Sequence, residues 1–317
     1  ELERLNTKRQ LPISLIIGDI NGLKLVNDAF GHLEGDRLIK EVASIFKKST
    51  RSEDIVARWG GDEFAILLPQ TDEEGAISVV NRIKDLCEKS MYDVITPSVA
   101  IGISTKISAD QDIREVLTQA EELMYNAKLT EGPIMREQLL SNLLKVLNRN
   151  VAHNESHTTN IIDLVDKYCD FYNLPEKDRV NCRLLAKYHD IGRIGIENSI
   201  LNKVQALTEN EWTKIKNHPE IGSRLVATIP ELQHLSKGIL QHHERFDGTG
   251  YPLGLKGEEI DEEARLLSIL DSYEAMTNER IYKPVKTHDE AINEILKNTG
   301  TQFDPHYVQL FIEIFKK

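Results

Sequence analysis

Two strand-like runs flank a pair of glycines in the segment Ile55-Val56-Ala57-Arg58-Trp59-Gly60-Gly61-Asp62-Glu63-Phe64-Ala65-Ile66-Leu67-Leu68. Glycine adopts the backbone conformations that a tight turn between antiparallel strands needs, so the segment predicts a β-hairpin. Asp62 and Glu63 directly follow the turn. Carboxylates at strand ends can bind a hard divalent cation such as Mg²⁺. They can equally be solvated, and the hairpin alone favours the solvated interpretation.

Strands and helices alternate on both sides of this hairpin. Residues 14–18 form an apolar run that ends at Asp19, as in a buried strand, and residues 36–48 and 112–128 carry apolar side chains at helical spacing. This alternation predicts an α/β or α+β sandwich around a central sheet. Lys24 lies at a predicted helix start, where backbone N–H groups favour a phosphate.

The pattern changes after Gly132-Pro133, where we expect one helix to end and another to begin with Pro133 in its first turn. Five leucines then form an apolar stripe: Leu139, Leu140, Leu143, Leu144 and Leu147. The stripe indicates a connecting helix, a dimer seam or the first helix of the next domain. Beyond it the periodicity is helical. We therefore predict domains over 1–132 and 150–317, joined by a connecting helix over 133–149.

Composition limits the classes of partner. The chain has 317 residues, with 39 Lys and Arg against 51 Asp and Glu, for a formal net charge of −12. Neither half carries a basic run, so we expect no nucleic-acid polymer and no membrane surface as partner. The three cysteines form no metal or redox motif, which indicates a cytoplasmic protein. Because the first residue is Glu1, we expect a fragment of a longer protein with an upstream sensor domain.

The histidines are distributed unevenly, since only His32 of the ten precedes residue 150. Seven His and Asp residues on separate predicted helices are candidates for one site: His157, His189, Asp190, His218, His242, His243 and Asp271. A helical bundle can bring such side chains together on a multinuclear centre, and imidazole with carboxylate favours Fe or Mn. Asp190 has two oxygens and could bridge two metals that activate water against a phosphodiester. A single histidine is more often a surface or core residue.

Taken together, the motifs of the first half resemble the GGDEF diguanylate cyclase family. The resemblance rests on Gly60-Gly61-Asp62-Glu63-Phe64, on the segment 19–32 and on Gly35-Asp36, and it covers about residues 2–132. It implies that two facing domains, each holding one GTP with Mg²⁺ or Mn²⁺, make cyclic di-GMP. A homodimer through this domain or the connecting helix follows from that implication.

The resemblance also implies roles for individual residues. The residues assigned to binding are Asp19, Ile20 (through its carbonyl) and Asp62 for the cations, Asn27 and Asp36 for guanine, and Lys24 and Lys128 for the phosphates. Asp62 and Glu63 would be catalytic, with Glu63 near the base. Arg51 and Asp54 lie where the family carries its product-inhibition site, although a surface ion pair is the alternative. The family's Gly-Arg-Asn after the last helix is absent at 129–133.

The second half resembles the HD-GYP family over about residues 150–317. The matching motifs are His189-Asp190-Ile191-Gly192-Arg193, Asn217-His218-Pro219, residues 242–252 and residues 271–283. This resemblance implies an all-α helical bundle that hydrolyses cyclic di-GMP to pGpG or GMP, with the seven His and Asp residues as metal ligands. Asp190 and Arg193 would be catalytic, and Arg280 and Lys283 would hold substrate phosphates. Tyr251 would shape the substrate loop or serve as a packing residue.

Two departures and three hypotheses follow from these resemblances. Arg193 replaces the lysine of the HD-GYP pattern, and His153 stands where members with three metals carry glutamate, so the centre would be dinuclear or trinuclear. The leading hypothesis is a cyclic di-GMP turnover enzyme with a phosphodiesterase half and a cyclase half. In the alternative, the GGDEF half is a regulatory module that binds GTP or cyclic di-GMP. In the third, Arg193 and His153 reduce the second half to a binding or dimerisation module.

Overall fold

The computed structural model describes residues 1–90, 92, 95–151, 154–278 and 285–315, although not the side chains of 131–137, 139, 150 and 154. Three of the predicted site residues, His153, Arg280 and Lys283, lie outside the described residues. The chain divides into two compact units, Glu1–Leu143 and Leu144–Lys317. Within the described chain, no helix combines the length and the apolar character that crossing a bilayer demands.

The first unit is built on a four-stranded sheet. Its strands are β1 (Ile13–Ile20), β2 (Ile55–Gly60), β3 (Glu63–Leu68) and β4 (Val99–Lys106), in the order β2-β3-β1-β4. All three pairings are antiparallel. β1 lies between two strands and is buried along its whole length, as its apolar run predicts. β2 and β3 form the predicted hairpin across the two glycines, with Gly60 opposite Glu63.

Helices pack on this sheet and complete a sandwich. They are α1 (Leu2–Leu5), α2 (Leu23–Phe30), α3 (His32–Ser49), α4 (Glu73–Glu88) and α5 (Ile113–Asn150). Ile13, Leu15 and Ile17 lie on one face of β1 and share a buried cluster with Val116 and Ala120 of α5. The prediction of an α+β sandwich with a central sheet is therefore confirmed.

Helix α5 corrects one expectation. The predicted end at Gly132 and new start at Pro133 are wrong, because one helix runs through both residues from Ile113 to Asn150. Proline inside a helix removes one backbone hydrogen bond and costs about 3 kcal/mol. Leucines beyond it oppose that cost, since Leu140, Leu143 and Leu147 are at most 2% exposed. The predicted division into a first domain over 1–132, a connecting helix over 133–149 and a second domain over 150–317 stays a prediction.

The second unit is helical in its described part, apart from one isolated bridge between Thr299 and Phe303. After the end of α5, its α-helices are α6 (Asn154–Phe171), α7 (Glu176–Tyr188), α8 (Asn198–Leu201), α9 (Glu209–Lys216), α10 (His218–Ala227), α11 (Ser236–Gln241), α12 (Glu262–Thr277), α13 (His288–Lys297) and α14 (Pro305–Phe315). The predicted helical bundle is therefore confirmed.

Candidate metal centre

Five elements of the second unit bring the seven predicted ligands together. The ligands are His157 on α6, His189 and Asp190 at the end of α7, His218 at the start of α10, His242 and His243 directly after α11, and Asp271 on α12. Gly192 allows this approach. A Cβ on Gly192 would lie 1.9 Å from the carbonyl oxygen of His218, so only glycine lets the turn after Asp190 meet α10.

Asp190 lies at the middle of the cluster. Its Oδ1 is 3.3 Å from Nε2 of His218 and 4.0 Å from Nε2 of His242. Its Oδ2 is 3.2 Å from Nε2 of His189 and 3.8 Å from Nε2 of His157. The carboxylate thus faces one set of imidazoles with each oxygen, which is the arrangement of a bridging ligand.

The ligand atoms form two groups, and within each group they lie within 4.8 Å of one another. The first group, called the His218 cluster here, contains Asp190, His218, His242 and His243. The second, the His157 cluster, contains His157, His189 and Asp271. The second oxygen of Asp190 faces this second cluster. Cations held by the two clusters would have Asp190 between them.

Hydrogen bonds to the other ring nitrogen orient the imidazoles. Nδ1 of His189, His218 and His242 lies 2.8, 2.7 and 2.6 Å from the main-chain oxygens of Ala186, Ile215 and Ile239. A carbonyl oxygen can only accept, so each Nδ1 carries the proton and donates it. In the neutral imidazole, Nε2 then has its lone pair toward the cluster, which is the form that binds a metal.

His157 has a different partner, one that the sequence reasoning missed. Its Nδ1 lies 2.5 Å from Oε2 of Glu274, and Asn160 donates to the other oxygen of Glu274 at 3.0 Å. Glu274 is 2% exposed. The available signal was its spacing, because it follows Asp271 by three residues on α12 and so lies on the same helix face.

Electrostatics keep the carboxylate charged and two of the imidazoles neutral. Burial raises the pKa of Asp190, but the charges of Arg193 and His189 outweigh it and bring that pKa well below its usual value. Arg193 Nε lies 2.9 Å from Oδ1 of Asp190. Burial and the neighbouring imidazoles lower the pKa of His242 far below its usual value and that of His243 to about 3. Both therefore stay neutral at neutral pH.

The donor set fits divalent cations. Asp190 is 3% exposed, and neither of its carboxylate oxygens makes a hydrogen bond; Nε2 of the buried His189 makes none either. Arg193 is ion-paired with Oδ1, whereas Oδ2 has no basic side chain of Lys or Arg beside it in the described ion pairs. Burying such a charged oxygen is unfavourable, and a bound cation would reduce that penalty. The predicted set of imidazole and carboxylate ligands without thiolate suits borderline metals such as Fe or Mn.

A buried carboxylate also shapes the loop beside the cluster. Glu244 is 3% exposed and accepts hydrogen bonds from the main-chain N–H groups of Leu253, Gly254 and Leu255 at 2.6, 3.2 and 3.1 Å. The same loop carries Tyr251, whose ring centroid lies 4.9 Å from that of His243. Sequence reasoning named Tyr251 and missed Glu244, which the structure connects to it.

The predicted site residues of the first unit are arranged differently. Asp19 is 2% exposed; Lys128 Nζ lies 2.6 Å from its Oδ2, and its Oδ1 has no hydrogen-bond partner. Burial raises the pKa of Asp19 against the opposing effect of Lys128. Asp19 is opposite Glu63 in the strand register, and the amide of Ile20 donates to the Asp62 carbonyl. In the described chain, both groups of three or more close ligand atoms belong to the second unit.

The predicted guanine and phosphate residues lie around α2 and α3. The amide oxygen of Asn27 occupies the space over Gly35, where a Cβ would approach it to 1.9 Å, and Asp36 is the next residue. Asn27 therefore lies against the turn of α3 that precedes Asp36, and guanine binding by the two residues stays a prediction. Lys24 is exposed in the first turn of α2, and its contact with a phosphate stays a prediction.

The predicted inhibition site is a local turn on the surface. The amide of Arg51 donates to Oδ2 of Asp54 at 2.7 Å, and the Arg51 side chain is exposed. The two residues line a cavity of ≈ 730 Å³ together with Arg4 and Gln70. The contact between the two residues is therefore from the main-chain amide of Arg51 to the Asp54 carboxylate, and both the inhibition site and the surface-pair alternative stay predictions.

Comparison with known proteins matches each half separately. The family model described as an HD domain matches residues 135–307, and the one described as a diguanylate cyclase GGDEF domain matches residues 1–132. A cyclic di-GMP phosphodiesterase of Vibrio cholerae is 40% identical over 139 residues, which are 42% of this chain and 28% of that protein. Diguanylate cyclase A of Treponema denticola is 37% identical over 120 residues, 37% of this chain and 32% of that protein.

A solved structure is similar to the first half. The active GGEEF domain of a diguanylate cyclase from Vibrio cholerae is 30% identical, with a TM-score of 0.37 over 40% of this chain and 81% of that chain. The chain spans less than a third of the length of either curated relative named above.

Proposed function

We propose that this chain, which belongs to the HD domain family and carries a diguanylate cyclase GGDEF domain over residues 1–132, hydrolyses cyclic di-GMP. The observation that carries the proposal is the pair of buried ligand clusters that meet at Asp190. The similarity of the helical half to a cyclic di-GMP phosphodiesterase supports the choice of substrate. The product would be linear pGpG or GMP.

The chain's own residues would hold two divalent cations and position the scissile phosphate against them. When bound, the cations would supply Lewis-acid activation of water and neutralise phosphate charge. Arg193 fixes Asp190 between the two clusters and keeps it ionised. The Tyr251 loop, held by Glu244, closes the His243 side of the site. Arg280, Lys283 and His153 stay predictions, as substrate contacts and as a ligand of a third metal.

Product analysis tests this proposal. The full chain, loaded with Mn²⁺ or Fe²⁺, is incubated with cyclic di-GMP and with a cyclic GMP–AMP dinucleotide, and the products are separated by chromatography. We expect linear product from cyclic di-GMP and none from Asp190→Asn. Asp170→Asn is the matched control, because Asp170 lies on α6 with a side chain that is 69% exposed. An inert metal-loaded wild type would refute the proposal.

For the GGDEF half we propose synthesis of cyclic di-GMP from two GTP molecules with Mg²⁺ or Mn²⁺. The buried Asp19, with one oxygen lacking a hydrogen bond, favours this function, and the similarity to a diguanylate cyclase supports it. Asp62 and Glu63 would be catalytic. The test uses Asp190→Asn so that product accumulates, and compares it with Asp190→Asn/Asp62→Ala. GTP binding without product would favour the alternative of a regulatory module.

Two further features belong to the same proposal. Cyclisation joins two GTP molecules, so we expect a homodimer and a synthesis rate that rises more than linearly with protein concentration. We also propose that Arg51 and Asp54 bind cyclic di-GMP and inhibit synthesis, in the cavity that they line. Arg51→Ala should then relieve inhibition by added cyclic di-GMP. We assign both activities to the cytoplasm, where GTP is available.

A further inference from the structure

The two ligand clusters carry different charges. Asp190 is shared, and apart from it the His218 cluster has imidazoles only. The His157 cluster contains a second carboxylate, Asp271, whose Oδ1 lies 3.3 Å from Nε2 of His157. A cation at either cluster would therefore face Asp190, but only a cation at the His157 cluster would also face a second carboxylate, that of Asp271.

The residues around the ligands increase this difference. In the His218 cluster the ring partners of His218 and His242 are neutral main-chain oxygens, and the guanidinium of Arg193 lies 2.9 Å from the Asp190 oxygen that faces this cluster. In the His157 cluster, the partner of His157 is the carboxylate of Glu274. The positive charge of Arg193 therefore lies beside the His218 cluster, and the negative charge of Glu274 lies beside the His157 cluster.

Glu274 is held where it can act through His157. It is 2% exposed, and the side-chain amide of Asn160 fixes its second oxygen at 3.0 Å. An anion hydrogen-bonded to the back of an imidazole makes the opposite nitrogen a better donor to a metal. In a buried site that added negative charge is weakly screened.

We propose that the two positions bind cations in a fixed order, with the His157 cluster first, and that Glu274 is the positioning residue that sets this order. The inference rests on the proposed metal centre and goes beyond it, since hydrolysis requires two cations and not an order between them. Glu274 contacts neither the substrate nor a metal in this scheme, and it acts through His157 alone.

Titration of the metal-free full chain with Mn²⁺ tests the order, using the free-ion electron paramagnetic resonance signal. Wild type should bind two equivalents with dissociation constants at least about tenfold apart. Glu274→Gln should weaken the tighter event by about 10- to 100-fold, the usual effect of losing such a partner, and leave the weaker event unchanged. Glu262→Gln, an exposed residue on the same helix, is the matched control and should change neither event.

A second variant separates this role from a loss of folding. Asn160→Ala leaves Glu274 and His157 in place but removes the amide that donates to one oxygen of Glu274, so it should weaken the same tighter event by a smaller factor, with an unchanged circular dichroism spectrum. Two wild-type sites of equal affinity would overturn the inference and leave the metal centre intact. So would variants that weaken both events equally. A wild type that binds no Mn²⁺ would overturn the proposed function as well.

Discussion

Replacing Glu244 by glutamine tests whether this residue builds the substrate loop. The carboxylate accepts from Leu253 and Gly254 with one oxygen and from Leu255 with the other. Glutamine has the same shape, but its NH₂ group can only donate, so at least one of these main-chain N–H groups loses its acceptor. A buried hydrogen bond to a charged group contributes about 1.5–3 kcal/mol.

That loss has a measurable thermal effect. In a unit of 150–250 residues, about 1 kcal/mol shifts Tm by roughly 2–4 °C, so we expect Glu244→Gln to lower the melting temperature by about 3–12 °C. Because the loop carries Tyr251 beside His243, KM for cyclic di-GMP should rise more than kcat falls. The metal content should stay the same, since no ligand contacts Glu244 in the described hydrogen bonds.

Circular dichroism melting and steady-state kinetics on the metal-loaded chain check both parts. Glu231→Gln is the control, because Glu231 is an exposed glutamate of the same unit. If Glu244→Gln melts and turns over like Glu231→Gln, the buried carboxylate does not hold the loop. If it loses metal instead, Glu244 supports the ligands and not the loop, and our account of Tyr251 is wrong.

Three other predictions concern packing, pH and metal. A Cβ on Gly250 would lie 2.3 Å from the main-chain nitrogen of Arg245. Gly250→Ala should therefore lower the free energy of unfolding, measured with urea, by about 1–3 kcal/mol. An unchanged free energy would show that the loop can move to make room. Hydrogen bonds from Lys203 and from the Thr208 amide lower the pKa of Glu211 to about 2 from 4.5. Because the pKa of Glu211 is lower in the folded state, its ionised carboxylate stabilises the fold above pH 4.5, and this contribution is lost as the pH falls toward 2. In Glu211→Gln the free energy of unfolding should therefore change less with pH between 4.5 and 2. Mn²⁺ at a hundred times the Kd of its tighter site should stabilise the fold by at least about 2.7 kcal/mol over chelator-treated protein, and Asp190→Asn should reduce that gain.

Periodicity predicted the elements of the fold because helix and strand each impose a local spacing on apolar residues. The run at 14–18 became the central strand β1, and the two runs around Gly60-Gly61 became a hairpin. The same local rule failed at Pro133. Proline has a local cost in a helix, whereas the leucine stripe stabilises the helix by packing. Spacing revealed the stripe, but not that its leucines would be buried in a helix that continues through Pro133.

The ligands could be proposed from sequence because their motifs carry the residue types that metals require. The contacts that their supporting residues make could not, although the three-residue spacing of Glu274 from Asp271 places both on one helix face. Glu274 meets His157 across 117 positions and Asn160 across 114, and neither pair leaves a short-range pattern. Lys128 reaches Asp19 across 109 positions in the same way. Such contacts follow from how helices pack, so they appear only once the fold is known.

Each unit solves the problem of a buried aspartate differently, and the difference bears on what each can bind. Asp19 has a cation of its own chain, since Lys128 neutralises one of its oxygens. A metal that binds there must displace that ammonium or share the carboxylate with it, so binding competes with an existing ion pair. Asp190 also has one cation of its own chain, Arg193 beside Oδ1, while its Oδ2 faces the imidazoles of His189 and His157. Imidazoles cannot balance a negative charge without a proton or a metal. The helical half is therefore the unit in which further ligand atoms surround the aspartate and could bind a cation together with it.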